Sequence, residues 1–500
     1  MPRSVDKRHL LITIVLLAFA LRLFHLGEKE MWYDEAFAVL YAEKEPGAII
    51  YGTVTPIEGA AADIHPVLYY FFLHSWMGLG QNAFVVRFPS VVFGLLAISL
   101  IFRLGRELFG TRVGLLATTL TAISPFHIWY SQEARMYSLL CLASLLSIYF
   151  FVRAWKQGKW ASWVGFSIFA ALSLYAHNLA FLIVLTLDLF VVLRRRRQLL
   201  RPLLVSHIAI GGLFLPWLLL VPGQFAKIQQ AYWIPKPGPS ELVRTLMVFT
   251  FNLPVPGWLL PFALFFSLLL LFLTLYRTFR PHGVRGESTS WPMYLTLSLS
   301  FVPVIAMFVV SQIKAVYIER GVVVCSLAYY LTVAQAILRG KLPRLVILSL
   351  APVPLILAGS LWHQYHYSEF PRSPFREANA YLRAHYQAGD AIIHDNKLSF
   401  LPSHYYDRGL AQEYIGDAPG SPADTLALPT QEVLGLLAQT HISHAVSEAP
   451  RVWFVVFQRA LDEAEELGEP NPSKAWLDDR FHLTATRKFN DLNVYLYQSS

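Results

Sequence analysis

The first residues in this sequence that could carry chemistry are two adjacent carboxylates, Asp34 and Glu35, in the stretch "MWYDEAFAVL". They follow a Trp-Tyr pair and lie just downstream of an apolar run at residues 10–26. Neighbouring residues on a helix point about 100° apart, so the two acids are predicted to serve different roles and not to share one proton. A solvated loop or the start of a helix would also explain the pair taken alone. Its meaning therefore depends on the residues around it.

Other ionisable and polar residues form four further clusters between apolar runs. They are His65 in "IHP"; His127, Gln132, Glu133, Arg135 and Tyr137 in "SPFHIWYSQEARMYS"; His177 and Asn178; and Lys314, Tyr317, Glu319 and Arg320 in "SQIKAVYIERG". Structural explanations stay open here, namely an interfacial ion pair for Glu133 and Arg135, a helix cap for His65, and a turn at His177. Ionisable residues at membrane depth are nevertheless costly and usually functional when they face a cavity. The gathering of acids, His and Arg on one side favours a functional site.

One carboxylate with several cations suits transfer from a phosphate better than hydrolysis. Glycoside hydrolysis uses two carboxylates, one of which protonates the leaving oxygen. Transfer of a sugar from a lipid-linked phosphate needs no such acid, because the phosphate is already a good leaving group. It needs a base for the acceptor hydroxyl and cations for the phosphate. Asp34 can supply the base, and the cations can come from Arg135, Arg320 and Lys314.

The composition places these residues in a membrane protein. Of the 500 residues, 55% are hydrophobic and only 15% are charged, whereas soluble domains carry about 25% charged residues. The net charge of +8 is spread over short basic clusters between apolar runs, which is typical of cytoplasmic loops and not of a nucleic-acid-binding face. Both cysteines, Cys141 and Cys325, fall within apolar segments, so we expect neither a disulfide framework nor thiol chemistry.

About eleven apolar segments are predicted to span the membrane as helices. They are residues 10–27, 87–105, 112–126, 137–153, 160–176, 178–193, 203–222, 258–277, 292–311, 320–338 and 343–361. The basic residues before the first run resemble a signal peptide, but no small-x-small cleavage site follows, so this run is predicted to be a retained span. A cytoplasmic N-terminus then places six basic segments on one side, as the positive-inside rule requires. These hold Arg3, Lys7 and Arg8; Arg103, Arg106 and Arg112; Arg153, Lys156 and Lys159; Arg194 to Arg197 with Arg201; Arg277, Arg280 and Arg285; and Arg339, Lys341 and Arg344.

One further apolar segment, residues 65–80, is predicted to lie at the membrane surface. It is short, opens on His65-Pro66 and contains His74, and counting it as a span would move every later arginine cluster outside. Its aromatic residues suit the headgroup layer. Residues 28–86 are therefore predicted to be the first extracytoplasmic loop, with interfacial helices and with both acids at the outer membrane surface.

The composition changes to that of a soluble protein near residue 370. "PFREANAYLRAHYQAGD" predicts an amphipathic helix, "AIIHD" and "RVWFVVF" predict buried strands, and "FHLTATRKF" with "NVYLYQ" predicts a strand pair. We therefore expect a membrane domain at residues 1–361 and a soluble α/β domain at residues 370–500. An odd number of spans puts that domain outside the cytoplasm.

The order of four motifs resembles a known group of enzymes. "YDEA", "HPVLYYFFLHSW", "RFPSVVFGLLAISLIFRLGRELFG" and "SPFHIWYSQEARMYSLL" resemble bacterial relatives of protein O-mannosyltransferases and aminoarabinose lipid A transferases. These are C-type (GT-C fold) glycosyltransferases that use polyprenyl-phosphate sugars. The resemblance is strong over residues 10–155, weaker through the tenth span and absent in the tail.

The resemblance implies roles for particular residues. Asp34 matches the first-loop acid, with Glu35 as its partner, and His65 matches the His or Lys before Pro in the interfacial helix. Arg87 matches the Arg that opens the second span, and "YIERG" resembles a Tyr-x-x-Arg-Tyr segment. The chain departs from the pattern at Gly321, where an aromatic residue often follows the Arg, and in having a single Pro after His65 where two are common.

The sequence thus predicts a polytopic α-helical, GT-C-like membrane protein that acts as an inverting glycosyltransferase. It would move a mannose-like or related sugar from a polyprenyl-phosphate donor to an extracytoplasmic acceptor, which could be a protein, lipid or glycan. Asp34 and Glu35 are the predicted catalytic residues. The predicted phosphate- or substrate-binding residues are His65, Arg87, Glu133, Arg135, Tyr137, Lys314, Tyr317 and Arg320.

The protein is predicted to lie in the lipid bilayer of the cell membrane. No nucleic-acid partner is expected. No cofactor is assigned, and a divalent cation stays open because some C-type relatives bind one near the acid although no spaced ligand motif is present. Two alternatives remain, a transporter or flippase for lipid-linked glycans and a carrier-binding protein without turnover. A transporter would predict ionisable groups near mid-membrane and broken, paired helices.

Overall fold

The chain up to residue 365 is mainly helical in the computed structural model, which describes residues 7–230, 233–279, 290–418, 421, 423, 426–446 and 449–499. In chain order the helices of this part are α1 (Lys7–Leu23), α2 (Tyr33–Ala42), α3 (Pro46–Val54), α4 (Leu68–Trp76), α5 (Ala83–Phe109), α6 (Thr111–Ile123), α7 (Pro125–Ser131), α8 (Tyr137–Gln157), α9 (Trp160–Ala176), α10 (Phe181–Leu193), α11 (Leu200–Leu218), α12 (Val221–Gln230), α13 (Ser240–Phe251), α14 (Leu260–Phe279), α15 (Ser290–Val310), α16 (Val323–Leu338), α17 (Arg344–Ser349) and α18 (Val353–Tyr365).

Each predicted span coincides with a helix or with two consecutive helices. Among the described residues, seven helical segments are long and apolar enough to cross a membrane, and three shorter apolar helices, α6, α9 and α10, accompany them. The remaining predicted span is α1, with 17 residues. Large apolar side chains such as Phe272 (62% exposed) and Ile208 (67% exposed) point outward from these helices, which requires a lipid environment. The predicted class, a polytopic helical membrane protein, is confirmed. The predicted inner-loop residues Arg3, Arg280 and Arg285 lie outside the described residues.

Residues 65–80 do not form a span. Their helix, α4, has nine residues and would cover only about 14 Å, roughly half the thickness of the hydrocarbon layer. Tyr69, Tyr70 and Leu73 are buried against the rest of the protein. Trp76 Nε1 donates to the carbonyl of Val85 at 2.8 Å, which ties the end of α4 to the start of α5.

The segment between α1 and α5 is a compact layer over the helix bundle. It contains α2, α3, the short hairpin of β1 (Pro56–Ile57) and β2 (Ala60–Ala61), and α4. Both predicted catalytic acids lie in the first turn of α2, where a negative charge is favoured by the helix dipole. Every residue of α2 from Glu35 to Ala42 is buried, so this helix is held rigidly.

The C-terminal part forms one five-stranded sheet with flanking helices. Its elements are α19 (Phe375–His385), β3 (Ala391–His394), α20 (Lys397–Tyr406), β4 (Gln412–Tyr414), α21 (Leu428–Leu434), α22 (Ile442–Val446), β5 (Arg451–Phe457), α23 (Gln458–Glu466), α24 (Pro472–Arg480), β6 (Phe481–Phe489) and β7 (Leu492–Ser499). The strand order is β4-β3-β5-β7-β6. Strand β3 pairs in parallel with β4 and β5, whereas β7 pairs antiparallel with β5 and β6. The predicted helix and strands all occur at the predicted places.

The sheet-containing part packs directly on α2 and α3. Lys44 Nζ donates to the carbonyl of Leu434 at 2.9 Å, and Thr430 Oγ1 donates to the carbonyl of Gly52 at 2.8 Å. A Cβ atom at Gly52 would lie 2.7 Å from the Tyr41 hydroxyl, so only glycine allows this close approach. The layer that carries the two acids is thus enclosed between the helix bundle and the sheet.

Candidate active site

The two adjacent acids have different surroundings. Asp34 Oδ2 accepts a hydrogen bond from Arg320 Nη1 at 2.8 Å, and the two side chains are 14% and 18% exposed. Glu35 lies on the neighbouring face of α2 and is fully buried. The angle between consecutive residues on a helix therefore sends one carboxylate toward an accessible space and the other into the protein interior.

Asp34 and Arg320 face a cavity of about 100 Å³. Its lining comes from parts of the chain that are far apart in sequence: Tyr33, Asp34, Phe37, Ala62, Asp63, Ile64, His65, Arg135, Lys227, Trp233, Arg320, Leu426 and Thr430. We call this space the acidic-basic cavity, because two carboxylates and several basic side chains share it. Three aromatic rings, those of Trp32, Tyr137 and Trp233, lie 5.6–5.9 Å from the Arg320 guanidinium and limit its movement.

Electrostatics keeps both acids of this cavity ionised. Burial alone would raise the pKa of Asp34, but the attraction of Arg320 and Arg135 outweighs it and leaves that pKa below its ordinary value. Burial also opposes ionisation of Asp63, and the neighbouring His65 reverses this effect, so the pKa of Asp63 is lowered as well. The pKa of Arg135 is raised, because Asp34 and nearby tyrosines offset its burial.

His65 is held by Asp63. Asp63 Oδ1 lies 2.9 Å from His65 Nδ1 and also accepts from the backbone N–H groups of Ile64 (2.6 Å) and His65 (3.2 Å). This pairing fixes the imidazole orientation, as carboxylate partners of functional histidines commonly do. The cavity thus contains an oriented imidazole beside two arginines.

Glu35 forms the centre of a separate buried ion network. Its Oε1 accepts from Arg87 Nε at 2.7 Å and from the backbone N–H of Ala134 at 2.8 Å. Its Oε2 accepts from Arg87 Nη2 at 2.8 Å and from Arg372 Nη1 at 2.9 Å. Burial opposes ionisation, but the two arginines lower the pKa of Glu35 to about 2.

Glu133 belongs to the same network. Its Oε1 accepts from Arg372 Nη2 at 3.0 Å, while its buried Oε2 has no hydrogen-bond partner among the residues that the structure describes. Burial raises the pKa of Glu133 to about 7. The repulsion of Glu35 adds to this increase, whereas the attraction of Arg372 opposes it. The network of Glu35, Glu133, Arg87 and Arg372 carries no net charge when all four groups are ionised.

The structure thus sorts the residues predicted from sequence into three groups. Asp34, His65, Arg135 and Arg320 line the acidic-basic cavity, and Tyr137 contacts Arg320. Glu35, Arg87 and Glu133 form the buried network. Lys314 and Tyr317 are absent from the cavity lining. The Tyr317 hydroxyl pairs with Thr245 at 2.6 Å, and Lys314 Nζ donates to the carbonyl of Gln229 at 3.3 Å.

Three charged residues of these clusters, Asp63, Lys227 and Arg372, were not predicted as site residues. Asp63 had a visible signal, since an acid two residues before a histidine can orient it. Arg372 had none, because it lies in an irregular stretch, "FPRSPF", between the last membrane helix and α19.

A larger cavity of about 550 Å³ lies next to the ion pair. It is lined by Trp32, Trp129, Tyr130, Glu133, Arg244, Asn252, Leu253, Pro254, Val255, Leu260, Tyr367, Phe370 and Pro371. Because Trp32 both lines this cavity and contacts Arg320, its ring lies between the two spaces. The lining is mainly aromatic and apolar with a few polar groups, which is typical of a binding site for a small molecule or sugar.

The donor set does not indicate a metal centre. Within the described ranges, no group of three or more His, Cys, Asp or Glu side chains is arranged to hold a metal ion.

Comparisons with known proteins address the resemblance to C-type glycosyltransferases. The family model of dolichyl-phosphate-mannose-protein mannosyltransferase matches residues 64–220. A comparison with curated protein sequences gives no significant match.

Solved structures share the fold over nearly the whole chain. ArnT from Cupriavidus metallidurans, bound to undecaprenyl phosphate, superposes with a TM-score of 0.62 at 13% identity, covering 99% of this chain and 98% of that one. AglB, the oligosaccharyltransferase of Archaeoglobus fulgidus, in complex with an inhibitory peptide and a dolichol-phosphate, gives a TM-score of 0.53 at 13% identity, covering 99% and 75%. Both have the GT-C fold. The resemblance to C-type glycosyltransferases is therefore confirmed, in sequence over residues 64–220 and in fold over the whole chain.

Proposed function

We propose that this protein is an inverting glycosyltransferase that moves a sugar from a polyprenyl-phosphate carrier to a hydroxyl-bearing acceptor on the outer side of the membrane. The observation that carries the proposal is the Asp34–Arg320 pair in a cavity that also contains Arg135 and His65. This set supplies one base and several cations, as transfer from a phosphate requires.

The reaction follows from the charges of the cavity. The acceptor oxygen attacks the anomeric carbon and its proton passes to Asp34. The bond between the anomeric carbon and the phosphate oxygen breaks, and its electron pair stays on the phosphate. Arg320 and Arg135 hold that phosphate through charge-assisted hydrogen bonds, and His65 adds a further contact. Attack opposite to the leaving phosphate inverts the configuration of the sugar.

The ion pair also links donor binding to the activation of the base. In the absence of donor, Arg320 binds Asp34 at 2.8 Å and helps to lower its pKa, which makes Asp34 a weak base. A phosphate that accepts hydrogen bonds from Arg320 competes with Asp34 for that guanidinium. Asp34 then regains basicity when the donor is in place.

The larger cavity is proposed to hold the second substrate beside the donor. Its aromatic walls can stack on a sugar ring or enclose an apolar group, and Trp32 places it next to the reacting ion pair. Leu260, on the membrane helix α14, lines it and is 45% exposed. An amphiphilic molecule can therefore enter along the membrane surface.

The topology proposed with this function has a cytoplasmic N-terminus and an outer C-terminal domain at residues 370–500, beside a membrane domain at residues 1–361. The six basic segments support this topology, because all of them fall on the cytoplasmic side when α4 is not counted as a membrane-spanning helix. This orientation puts both cavities at the outer surface.

The transporter alternative receives less support. The buried ionisable groups described above lie at helix ends and in the layer over the bundle. Asp188, inside α10, pairs with His207 at 3.0 Å and lines neither cavity. Transporters place such groups near mid-membrane at broken helices.

The direct test is an activity assay. Purified protein in lipid nanodiscs would be given a panel of radiolabelled polyprenyl-phosphate sugars and an extract of envelope acceptors, with and without a chelator. We expect one donor to lose its label to an acceptor. Retention of label on every donor would contradict the proposed function, and loss of transfer only with chelator would reveal a metal requirement.

A further inference from the structure

Arg372 connects the C-terminal part of the chain to the buried network beneath the acidic-basic cavity. It lies between α18, the last membrane helix, and α19, the first helix of the sheet domain. Its side chain is only 1% exposed. A charged side chain that is this deeply buried requires partners that compensate its loss of hydration.

Those partners come from two separate segments, residues 30–35 and residues 129–133. Arg372 Nη1 donates to Glu35 Oε2 at 2.9 Å and to the carbonyl of Glu30 at 2.7 Å. Arg372 Nη2 donates to Glu133 Oε1 at 3.0 Å, and the guanidinium lies 4.9 Å from the centre of the Trp129 ring. One side chain therefore joins the start of α2, the segment after α7 and the linker to the sheet.

The linker is also fixed from the opposite side. Ser373 Oγ donates to Asp491 Oδ1 and the backbone N–H of Phe370 donates to Asp491 Oδ2, both at 2.8 Å. Asp491 lies in the turn between β6 and β7. The turn of the sheet thus fixes the position of the linker. Arg372, on this linker, in turn fixes the carboxylates of the buried network.

The segment from Glu133 to Arg135 depends on this network for its position. The Glu133 side chain binds Arg372, the Ala134 N–H donates to Glu35, and the Glu133 carbonyl accepts from Ser90 Oγ at 2.5 Å. Arg135, the last residue of the segment, extends into the acidic-basic cavity. A shift of residues 133–135 would therefore move a cavity cation.

The position of Asp34 also depends on the buried network. It neighbours Glu35 on α2, and the Glu35 carboxylate is bound by Arg87 and Arg372. The orientation of α2 about its axis is fixed by these bonds, and that orientation directs Asp34 toward Arg320.

We infer that Arg372 is a positioning residue: by binding Glu133 and Glu35 it fixes the two backbone segments that carry the charged groups of the acidic-basic cavity. As a consequence, the sheet domain helps to position the charged residues of the acidic-basic cavity, in addition to any binding role of its own. The inference rests on the proposed function for its kinetic consequence, whereas its structural consequence can be measured without turnover.

The charges around Glu133 define how the inference can be tested. Glu35 keeps Arg87 when Arg372 is removed, but Glu133 loses the one cation that bonds it in the described structure. The groups that face Glu133 come from several elements. They are Lys29 before α2, Asp34 and Glu35 on α2, Tyr69 on α4, Tyr130 on α7, Tyr137 on α8, Arg320 before α16 and Arg372 on the linker. Without the attraction of Arg372, the pKa of Glu133 rises further, so the carboxyl keeps its proton to higher pH. When Glu133 does ionise, its charge lacks the hydrogen bond from Arg372 and disturbs the segment.

The test compares Arg372→Met, Arg372→Lys, Glu133→Gln and the double variant Arg372→Met/Glu133→Gln. Arg383→Met is the matched control, because Arg383 is an exposed arginine of the same domain that pairs with Asp407. For each variant, kcat and KM for sugar transfer are measured from pH 6 to pH 9, and hydrogen exchange is followed in a peptide that covers residues 132–137.

We expect Arg372→Met to lower kcat by about 10- to 100-fold, as small displacements of catalytic groups do. The loss should deepen as the pH rises, and exchange at Ala134 should accelerate. Arg372→Lys should recover part of the activity, since lysine keeps the charge but not the bidentate fork. The double variant should lose the alkaline sensitivity, and Arg383→Met should behave as wild type.

A folded Arg372→Met protein with wild-type kcat, pH profile and exchange would overturn the inference. A lower melting temperature with unchanged kinetics would also overturn it, because it would assign Arg372 a purely stabilising role. If the wild-type protein transfers no sugar at all, the proposed function fails, and the exchange at Ala134 in the single and double variants then decides the inference alone.

Discussion

The Arg320 guanidinium holds the Asp34 carboxylate at 2.8 Å across a sequence separation of 286 residues. The first turn of α2 and the segment before α16 therefore meet at one ion pair. The pair lies in a cavity with Arg135 and His65. We propose that a substrate phosphate replaces Asp34 as the partner of Arg320 and that a substrate hydroxyl replaces Arg320 as the partner of Asp34.

Asp34→Asn should lower the rate of sugar transfer by about 10² to 10⁴, the usual cost of removing a positioned general base, while donor binding persists. Glu35→Gln should act differently. Its carboxylate is fully buried and bonded, so the main effect should be on folding and not on proton transfer. Turnover and binding of an undecaprenyl-phosphate probe are measured side by side.

Asp407→Asn is the control for this experiment, since it makes the same change in a surface pair with Arg383. Normal turnover in Asp34→Asn together with an inactive, folded Glu35→Gln protein would reverse the two roles.

Arg320→Ala should weaken binding of undecaprenyl phosphate at least tenfold, and Arg320→Lys should restore only part of it. The reason is that a lysine cannot offer two parallel hydrogen bonds to a phosphate. Binding is measured by titration in nanodiscs with Arg383→Ala as the control. Unchanged affinity in both variants would show that another cation holds the phosphate.

Asp63→Asn and His65→Gln should each weaken undecaprenyl-phosphate binding, and the double variant should be no weaker than His65→Gln alone. We propose that Asp63, which also lines the cavity, acts on the substrate by holding the imidazole at 2.9 Å, in which case the two effects are not additive. A double-mutant cycle of binding energies measures this. Additive losses would mean that Asp63 acts independently of His65.

The membrane helices and the sheet strands could be predicted from sequence because each depends on local apolar patterns. Residues 391–394 and 451–457 form buried strands as the runs "AIIH" and "RVWFVVF" suggest, and α19 has the predicted amphipathic pattern. Long apolar runs and basic clusters likewise identified the spans.

The pairing of the charged residues could not be predicted in the same way. Arg320, Tyr317 and Lys314 share one short stretch of sequence, yet only Arg320 reaches the cavity, because the irregular backbone before α16 directs the other two elsewhere. Arg372 gave no sequence signal, since its partners come from two distant segments, around Glu30–Glu35 and at Glu133. Only the tertiary fold brings such groups together.

The C-terminal domain should be accessible from outside the cell. Thr486→Cys, at an exposed position on β6, should react with a membrane-impermeant thiol reagent in intact cells. Gln157→Cys, at the exposed last residue of α8, should react only after lysis. The native Cys141 and Cys325 are both buried and give little background. The opposite labelling pattern would invert the proposed topology and place both acids on the cytoplasmic side.

The buried Glu35 network should make the protein sensitive to acid. Arg87 and Arg372 lower the pKa of Glu35 from 4.5 to about 2, so the ionised group stabilises the fold above pH 4.5, and this contribution is lost as the pH falls toward 2. Glu35→Gln should be less stable at pH 7 by about 3–5 kcal/mol, because it leaves buried arginine charge poorly compensated. Its melting temperature should fall less steeply than that of the wild type between pH 4.5 and pH 3. Glu466→Gln, an exposed position on α23, should keep the wild-type pH dependence. Equal acid sensitivity in the Glu35 variant and the wild type would show that the network does not stabilise the fold through an ionised Glu35.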